Sequence, residues 1–131
     1  MSRILVVDDD PNDAELTLRA LECIRLRDAV DIARDGQEAL DYLECRGSFA
    51  GRSTGDPAVI LMDVKMPRVD GMTLYRAMAA ATPALARRVI FVTGDVAGTD
   101  AERFLDESGC RWLAKPFRLA DLLRAVRDTL T

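Results

Sequence analysis

The chain has 131 residues, which is the size of one domain, and hydrophobic and charged residues make up 49% and 31% of it, as in an ordinary globular domain. A chain of this length can bury about two-thirds of its unfolded surface, so it needs neither disulfides nor a structural metal to fold. Its 22 acidic and 18 basic residues give a net charge of −4, which argues against a nucleic-acid-binding module. The longest aliphatic run near the N-terminus, Ile4–Val7, is too short for a signal peptide or a membrane span.

The chain contains no histidine, which excludes histidine-based catalytic triads, histidine metal ligands and a phosphohistidine on this chain. Its three cysteines, Cys23, Cys45 and Cys110, are widely spaced and form no C-x-x-C pair. We therefore expect reduced, mostly buried thiols of a cytoplasmic protein. The glycine-rich signatures of P-loop NTPases and dinucleotide enzymes do not occur in the sequence.

Mainly apolar runs of strand length alternate with segments in which apolar residues recur at helical spacing. The runs lie at residues 4–7, 29–33, 58–62, 89–92 and 112–114. A helical pattern follows each run, and the pattern over residues 119–130 is the clearest, so we expect its apolar stripe from Leu119 to Leu130 to pack in the core. The sequence therefore predicts five strands alternating with five helices, which is typical of a parallel sheet covered on both faces.

Capping residues support two of the helix starts. Asp10 followed by Pro11 predicts the start of the first helix, with Asp13 in its first turn. Asp35 followed by Glu38 resembles a capping box at the start of the second helix.

Glycine marks the end of one helix and part of a long connection. Ser108-Gly109 predicts the end of the fourth helix, with the glycine in the left-handed conformation. Glu44–Pro57 is rich in Gly, Ser and Arg and has little periodicity, so we expect a long surface loop between the second helix and the third strand.

These elements predict a single domain over residues 1–131 of the α/β class. Its expected architecture is a doubly wound, flavodoxin-like (βα)5 fold with a five-stranded parallel sheet in the order 2-1-3-4-5. Ligands of such sheets bind beyond the carboxyl ends of the strands, where the strand order reverses. The expected crevice therefore lies between the ends of the first and third strands.

Polar side chains follow the predicted strands at this edge of the sheet. They are Asp8 and Asp9 after the first strand, Asp63 after the third, Thr93-Gly94 after the fourth and Lys115-Pro116 after the fifth. Three close carboxylates repel one another, and a hard cation such as Mg²⁺ relieves that repulsion. Lysine and threonine add a positive charge and a donor, so the set is suited to a phosphoryl group carried on a carboxylate as an acyl phosphate.

The chain resembles the receiver domain of two-component response regulators over essentially its whole length. The matching motifs are Val7-Asp8-Asp9, Met62-Asp63-Val64-Lys65-Met66-Pro67 with Asp70-Gly71, Thr93-Gly94, and Lys115-Pro116-Phe117. Each motif alone is weak, because acids, prolines and glycines are common in turns. Their order and their places at the ends of successive strands make the match specific.

The resemblance implies a role for each matching residue. Asp63 would accept a phosphoryl group from a partner phosphohistidine in a reaction that needs Mg²⁺ or Mn²⁺. Asp8, Asp9, Asp63 and the backbone carbonyl of Lys65 would hold the metal, with Asp8 acting mainly through water. The resemblance also implies a signalling module that catalyses only its own phosphorylation and dephosphorylation.

Further implied roles concern the phosphoryl group and the loops around it. Thr93, Gly94 and Lys115 would stabilise the phosphoryl group, and Thr93 would move inward on phosphorylation. Pro116 would have a structural role through a cis peptide bond with Lys115.

Two features depart from the usual pattern of the family. The family usually has a Tyr or Phe at the position of Trp112, and the rotamer of that aromatic side chain changes when the threonine moves. The larger indole of Trp112 would restrict this change of rotamer. Lys65 and Asp95 each lie two residues after a site residue and overlook the acyl phosphate. We expect the Lys65–Asp95 pair to hinder attack by water and so to tune the lifetime of the phosphorylated state.

The expected partners are a sensor histidine kinase or a phosphotransfer protein, and neither nucleic acid nor membrane. A homodimer through the fourth helix, fifth strand and fifth helix is a further possibility from the resemblance. Because almost nothing follows the last predicted helix, the sequence predicts no effector domain. Two interpretations stay open: a single-domain regulator similar to those paired with phytochrome-type kinases, which we favour, and a receiver excised from a hybrid kinase.

Other functional classes fit less well. An aspartate-nucleophile phosphatase usually has an acid two residues after the nucleophile, where this chain has Lys65. A flavin-binding protein of the same topology is disfavoured by the 5% aromatic content. A receiver that no longer takes phosphate is also possible in principle, although the chain carries every residue of the acceptor site.

Overall fold

Five parallel strands form one sheet in the order β2-β1-β3-β4-β5 in the computed structural model. The structure describes residues 3–23, 30–49, 51, 57–64, 71–94, 100–115 and 117–130. The strands are β1 (Ile4–Val7), β2 (Val30–Ala33), β3 (Val59–Met62), β4 (Val89–Thr93) and β5 (Arg111–Ala114). The predicted fold class, sheet direction and strand order are therefore confirmed.

Helices connect the strands and cover both faces of the sheet. They are α1 (Pro11–Glu22), α2 (Gly36–Leu43), α3 (Gly71–Ala81), α4 (Pro83–Ala86), α5 (Asp100–Ser108) and α6 (Leu119–Leu130). The sequence predicted five helices, and the short α4 is additional. Because it has only four residues, it is too short to show a helical period, although Pro83 stands in its first turn as a helix-starting residue.

The hydrophobic core has two parts, one on each face of the sheet. On one face, residues of α2, α3 and α5 pack on β1, β3 and β4, with Tyr42 and Phe91 fully buried. On the other face, α1 and α6 pack through side chains such as Leu21, Leu122 and Val126. Strands β1 and β3 are buried on both faces, which explains their uninterrupted aliphatic sequences.

The predicted helix ends are present. The Asp10 side chain accepts hydrogen bonds from the backbone N–H groups of Asn12 and Asp13 at the start of α1. The Asp35 carboxylate accepts one from the N–H of Glu38, at 2.8 Å. Gly109 follows α5 with a φ of 71°, in the left-handed region that glycine favours.

The predicted loop over residues 44–57 is partly ordered by the core. Residues 47–49 form one 3₁₀ turn, and the Phe49 ring lies edge-on to Tyr42 with 5.1 Å between ring centroids. Part of this connection is therefore held against the core, which a sequence without periodicity does not reveal. Residues 50 and 52–56 lie outside the described part of the chain.

Two expectations about burial are wrong. The cysteines are free as predicted, but Cys23 is exposed and Cys45 and Cys110 are only half-buried. In α6, Leu119 and Leu130 are 45% and 40% exposed, because they lie in the terminal turns beyond the buried middle of the helix. Only the middle of the apolar stripe of α6 therefore packs against the sheet, and both ends of the stripe face solvent.

Candidate functional site

Backbone hydrogen bonds place the predicted site residues at one edge of the sheet. The N–H of Asp63 donates to the Val7 carbonyl at 3.0 Å, so the residue after β3 is held beside the end of β1. Similarly, the N–H of Lys115 donates to the Thr93 carbonyl at 2.7 Å. The sheet pairing thus continues one residue past the strand ends and brings together side chains from distant parts of the sequence.

Lys115 lies at the centre of the site and binds three carboxylates. Its Nζ is 3.1 Å from Oδ2 of Asp8, 2.9 Å from Oδ2 of Asp13 and 3.0 Å from Oδ2 of Asp63. Burial by itself would lower the pKa of Lys115, but the hydrogen bonds to Asp13 and Asp63 outweigh it and raise the pKa above its usual value. The ammonium group therefore stays charged and offsets the repulsion among the carboxylates.

An acidic cluster lies beside this lysine. Asp8, Asp9 and Asp63 each offer one carboxylate oxygen, and these oxygens all lie within 4.8 Å of one another. Asp8 is buried, and this burial is the main reason why its pKa is raised. Close carboxylates repel one another when they are charged, and Mg²⁺ binds such clusters of oxygen ligands and relieves the repulsion. The residues present therefore fit the metal that the resemblance implies.

Thr93 and Trp112 lie on the same face of the sheet. Thr93 is the last residue of β4 and only 1% exposed, and its Cα partner in β5 is Ala114. Trp112, two residues before Ala114 in β5, pairs with Phe91, two residues before Thr93 in β4. Because side chains alternate along a strand, these positions point to the same side. Trp112 is 40% exposed on the edge strand, and the next residue after Thr93, Gly94, is exposed at the rim of the crevice.

Three predicted site residues fall outside the described part of the chain. They are Lys65, Asp95 and Pro116. The affected expectations are the metal ligation by the Lys65 carbonyl, the Lys65–Asp95 pair and the cis peptide bond before Pro116. These three assignments stay predictions.

Gly71 is a site-shaping residue whose role the sequence analysis did not identify beyond its place in a motif. It is the first residue of α3, and its N–H donates to the Val64 carbonyl at 2.8 Å. A Cβ atom at this position would lie 2.3 Å from the carbonyl oxygen of Asp63. Only glycine therefore lets the start of α3 approach the backbone of Asp63 this closely.

Asp13 is the second residue that the sequence analysis missed as part of the site. It was predicted only as an acid in the first turn of α1, yet it makes the shortest of the three contacts with Lys115. A signal was present in the sequence: the first turn of α1 follows directly after Asp8 and Asp9, so an acid there lies near the same edge of the sheet.

The surface predicted for a homodimer is charged and exposed. Exposed charged residues on this surface include Arg103 and Asp106 of α5, Arg111 of β5, Arg118 just before α6, and Asp121 and Arg124 of α6. Within the described ranges, no helix has both the length and the apolar character that crossing a bilayer requires.

Comparison with known proteins agrees with the fold. The family model described as "Response regulator receiver domain" matches residues 4–127. The chain is 31% identical over 125 residues to the probable methanogenesis regulatory protein FilR2 of Methanothrix harundinacea, covering 95% of this chain and 79% of that protein. It is 32% identical over 128 residues to the response regulator MprA of Mycolicibacterium vanbaalenii, covering 98% of this chain but only 50% of that protein.

One solved structure has the same fold and a higher sequence identity than the two relatives above. The bacteriophytochrome response regulator AtBRR is 38% identical and superposes with a TM-score of 0.83, covering 98% of this chain and 92% of that one. The strand order, the crevice at the strand ends and these similarities lead to one conclusion. The chain belongs to the response regulator receiver domain family.

Proposed function

We propose that this chain is a phosphorylation-dependent signalling domain of the cytoplasm that accepts a phosphoryl group on Asp63. The observation that carries the proposal is the position of Lys115, whose Nζ lies 3.0 Å from Asp63 and 3.1 Å from Asp8 beside the acidic cluster. Since these 131 residues contain no histidine, a phosphohistidine donor must lie outside them, and we propose a histidine kinase or a phosphotransfer protein as that donor. The likeness to a bacteriophytochrome response regulator supports a phytochrome-type kinase as that partner.

In this mechanism, a carboxylate oxygen of Asp63 attacks the phosphorus atom, and the bond between phosphorus and the partner's imidazole nitrogen breaks. Asp8, Asp9, Asp63 and the carbonyl of Lys65 would hold Mg²⁺, which supplies positive charge to the transferring phosphoryl oxygens. Lys115 adds a fixed positive charge on the same side of the crevice. The hydrogen bond from the Asp63 N–H to the Val7 carbonyl fixes the backbone from which the Asp63 carboxylate extends into the crevice.

Phosphorylation would then change the surface that partners contact. We propose that the Thr93 hydroxyl and the Gly94 backbone turn towards the phosphoryl group and that Trp112 responds on the same face of the sheet. A change in Trp112 would alter the edge strand β5, next to the charged surface of α5 and α6. That surface is our proposed site for a homodimer or another partner.

The test is intact mass after incubation with acetyl phosphate, with and without Mg²⁺. We expect a gain of about 80 Da, one phosphoryl group, that requires both Mg²⁺ and Asp63 and is absent in Asp63→Ala. The variant Glu107→Gln, which removes an exposed charge on α5, should behave as wild type. Fluorescence of Trp112, the one tryptophan in the chain, reports on the switch in the same samples.

Two results would contradict the proposal. One is an equal mass gain in Asp63→Ala, and the other is no gain in wild type from acetyl phosphate or from a phosphohistidine donor. Continuous release of inorganic phosphate from a phosphomonoester would favour the phosphatase alternative instead.

A further inference from the structure

The three hydrogen bonds of Lys115 occupy every donor that its ammonium group has. A lysine ammonium carries three N–H groups, and the structure gives it three carboxylate acceptors, on Asp8, Asp13 and Asp63. Asp8 and Asp63 belong to the crevice itself and follow strands β1 and β3. Asp13 instead lies on α1, outside the acidic cluster that could hold a metal.

A phosphoryl group on Asp63 would need one of these donors. The group adds negative charge and several strong acceptor oxygens beside Lys115. The N–H that Asp63 accepts can pass to one phosphoryl oxygen, but because no N–H of Lys115 is unused, a bond to a second phosphoryl oxygen requires the release of another carboxylate. The unphosphorylated contacts therefore compete with the phosphorylated state.

Solvent exposure indicates which contact is exchanged. The Asp8 and Asp63 side chains are 7% and 12% exposed, whereas that of Asp13 is 35% exposed. Water can take over the hydrogen bond to Asp13 when Lys115 leaves, but it has little access to the other two carboxylates. Asp13 is therefore the acceptor that costs least to release.

We propose that Asp13 is a positioning residue that holds Lys115 in the unphosphorylated state and competes with the phosphoryl group for it. The inference rests on the proposed function of Asp63. An interaction made only in the unphosphorylated state shifts the equilibrium towards that state. Asp13 therefore lowers both the rate of phosphorylation and the phosphorylated fraction that a given donor supports.

The test compares Asp13→Asn with wild type during phosphorylation by acetyl phosphate and Mg²⁺. Asparagine keeps the size of the side chain and an oxygen acceptor but removes the charge. We expect the initial rate and the steady-state phosphorylated fraction to rise, the rate by roughly three- to tenfold, as for the loss of a partly buried ion pair. Glu15→Gln is the matched control, because Glu15 is on the same helix and pairs with Arg19 at 3.5 Å.

A second measurement tests the pair without metal or phosphate. In a double-mutant cycle in EDTA, Asp13→Asn and Lys115→Gln should be coupled by about threefold or more in the unfolding equilibrium constant. This cycle has a readout that does not depend on phosphorylation. It therefore separates a failure of the Asp13 contact from a failure of the proposed function.

Several results would overturn the inference. They are an unchanged or slower rate in Asp13→Asn, an equal increase in Glu15→Gln, or no coupling in the cycle. If wild type takes no phosphoryl group from any donor while the coupling is present, the proposed function itself is refuted and the competition with it.

Discussion

Gly71 carries no functional group, yet its lack of a side chain determines how α3 meets Asp63. The Cβ of any other residue would lie 2.3 Å from the Asp63 carbonyl oxygen and 2.9 Å from Cα of Val64. Both atoms belong to the backbone, so they cannot move aside as the end of a flexible side chain could. The position of Asp63, the proposed phospho-acceptor, therefore depends on a residue without chemistry of its own.

We expect Gly71→Ala to lower the free energy of unfolding by about 1–3 kcal/mol, as overpacking of a tight site does. It should also slow phosphorylation, because the backbone of Asp63 must shift. Gly51→Ala is the control, since a Cβ at Gly51 meets nothing within 4 Å. Urea unfolding and intact mass measure the two effects, and Gly71→Ala behaving like Gly51→Ala would contradict this account.

Among the elements, α1 has the closest relation to the site. It begins directly after Asp8 and Asp9, and the Asp10 carboxylate caps it by accepting from the N–H of Asn12 at 2.8 Å. The N–H of Asp10 in turn donates to the Asp8 carboxylate at 3.0 Å. The cap thus fixes the start of the helix and, through a hydrogen bond from its N–H at 3.5 Å, the backbone of Asp13 in the first turn.

Asp10→Ala is expected to lower the free energy of unfolding by about 1 kcal/mol, because it leaves N–H groups of the first turn without an acceptor. Asp10→Asn should retain most of the stability, since asparagine caps helices about as well as aspartate. Thermal or urea unfolding of the two variants provides the comparison. Equal losses in both would show that the charge of Asp10, and not its capping hydrogen bond, stabilises the protein.

For the molecule as a whole, the parallel sheet concentrates charge at one edge. All five strands run in one direction, so the residues that follow β1, β3 and β5 meet at the same edge. Three carboxylates within 4.8 Å of one another destabilise the folded chain, and Lys115 offsets only part of that repulsion. A cation that binds the folded state alone should therefore stabilise it.

We expect Mg²⁺ at about a hundredfold excess over its dissociation constant to stabilise the fold by about 2.7 kcal/mol. Asp9→Asn should lose most of this stabilisation, since it removes one carboxylate of the proposed metal site. Asp9 is exposed, so the substitution does not disturb the packing of the core. The measurement is the unfolding midpoint in MgCl₂ against NaCl of the same ionic strength, with EDTA to reverse the effect. An equal gain for Asp9→Asn would place the metal elsewhere.

The local features of the fold could be predicted from the sequence because neighbouring residues determine them. The predicted strand over residues 4–7 has the observed bounds, and the other four agree to within one residue at each end. The caps at Asp10 and Asp35 and the left-handed Gly109 depend on hydrogen bonds or dihedral angles within a few residues. The expected strand order was that of the flavodoxin-like fold, which the alternation of strands and helices favoured, and did not come from the residues of the strands themselves.

The sequence by itself determined the five strands, the five longer helices, the parallel sheet and the edge where Asp8, Asp63 and Lys115 meet. Only the tertiary structure decided that Asp13 binds Lys115, from which it is 102 residues distant along the chain. It also decided the close approach of Gly71 to Asp63 and the exposure of Cys23 and Leu119. The physical reason is that such contacts depend on distances between remote surfaces, which no local pattern of hydrophobicity or charge encodes.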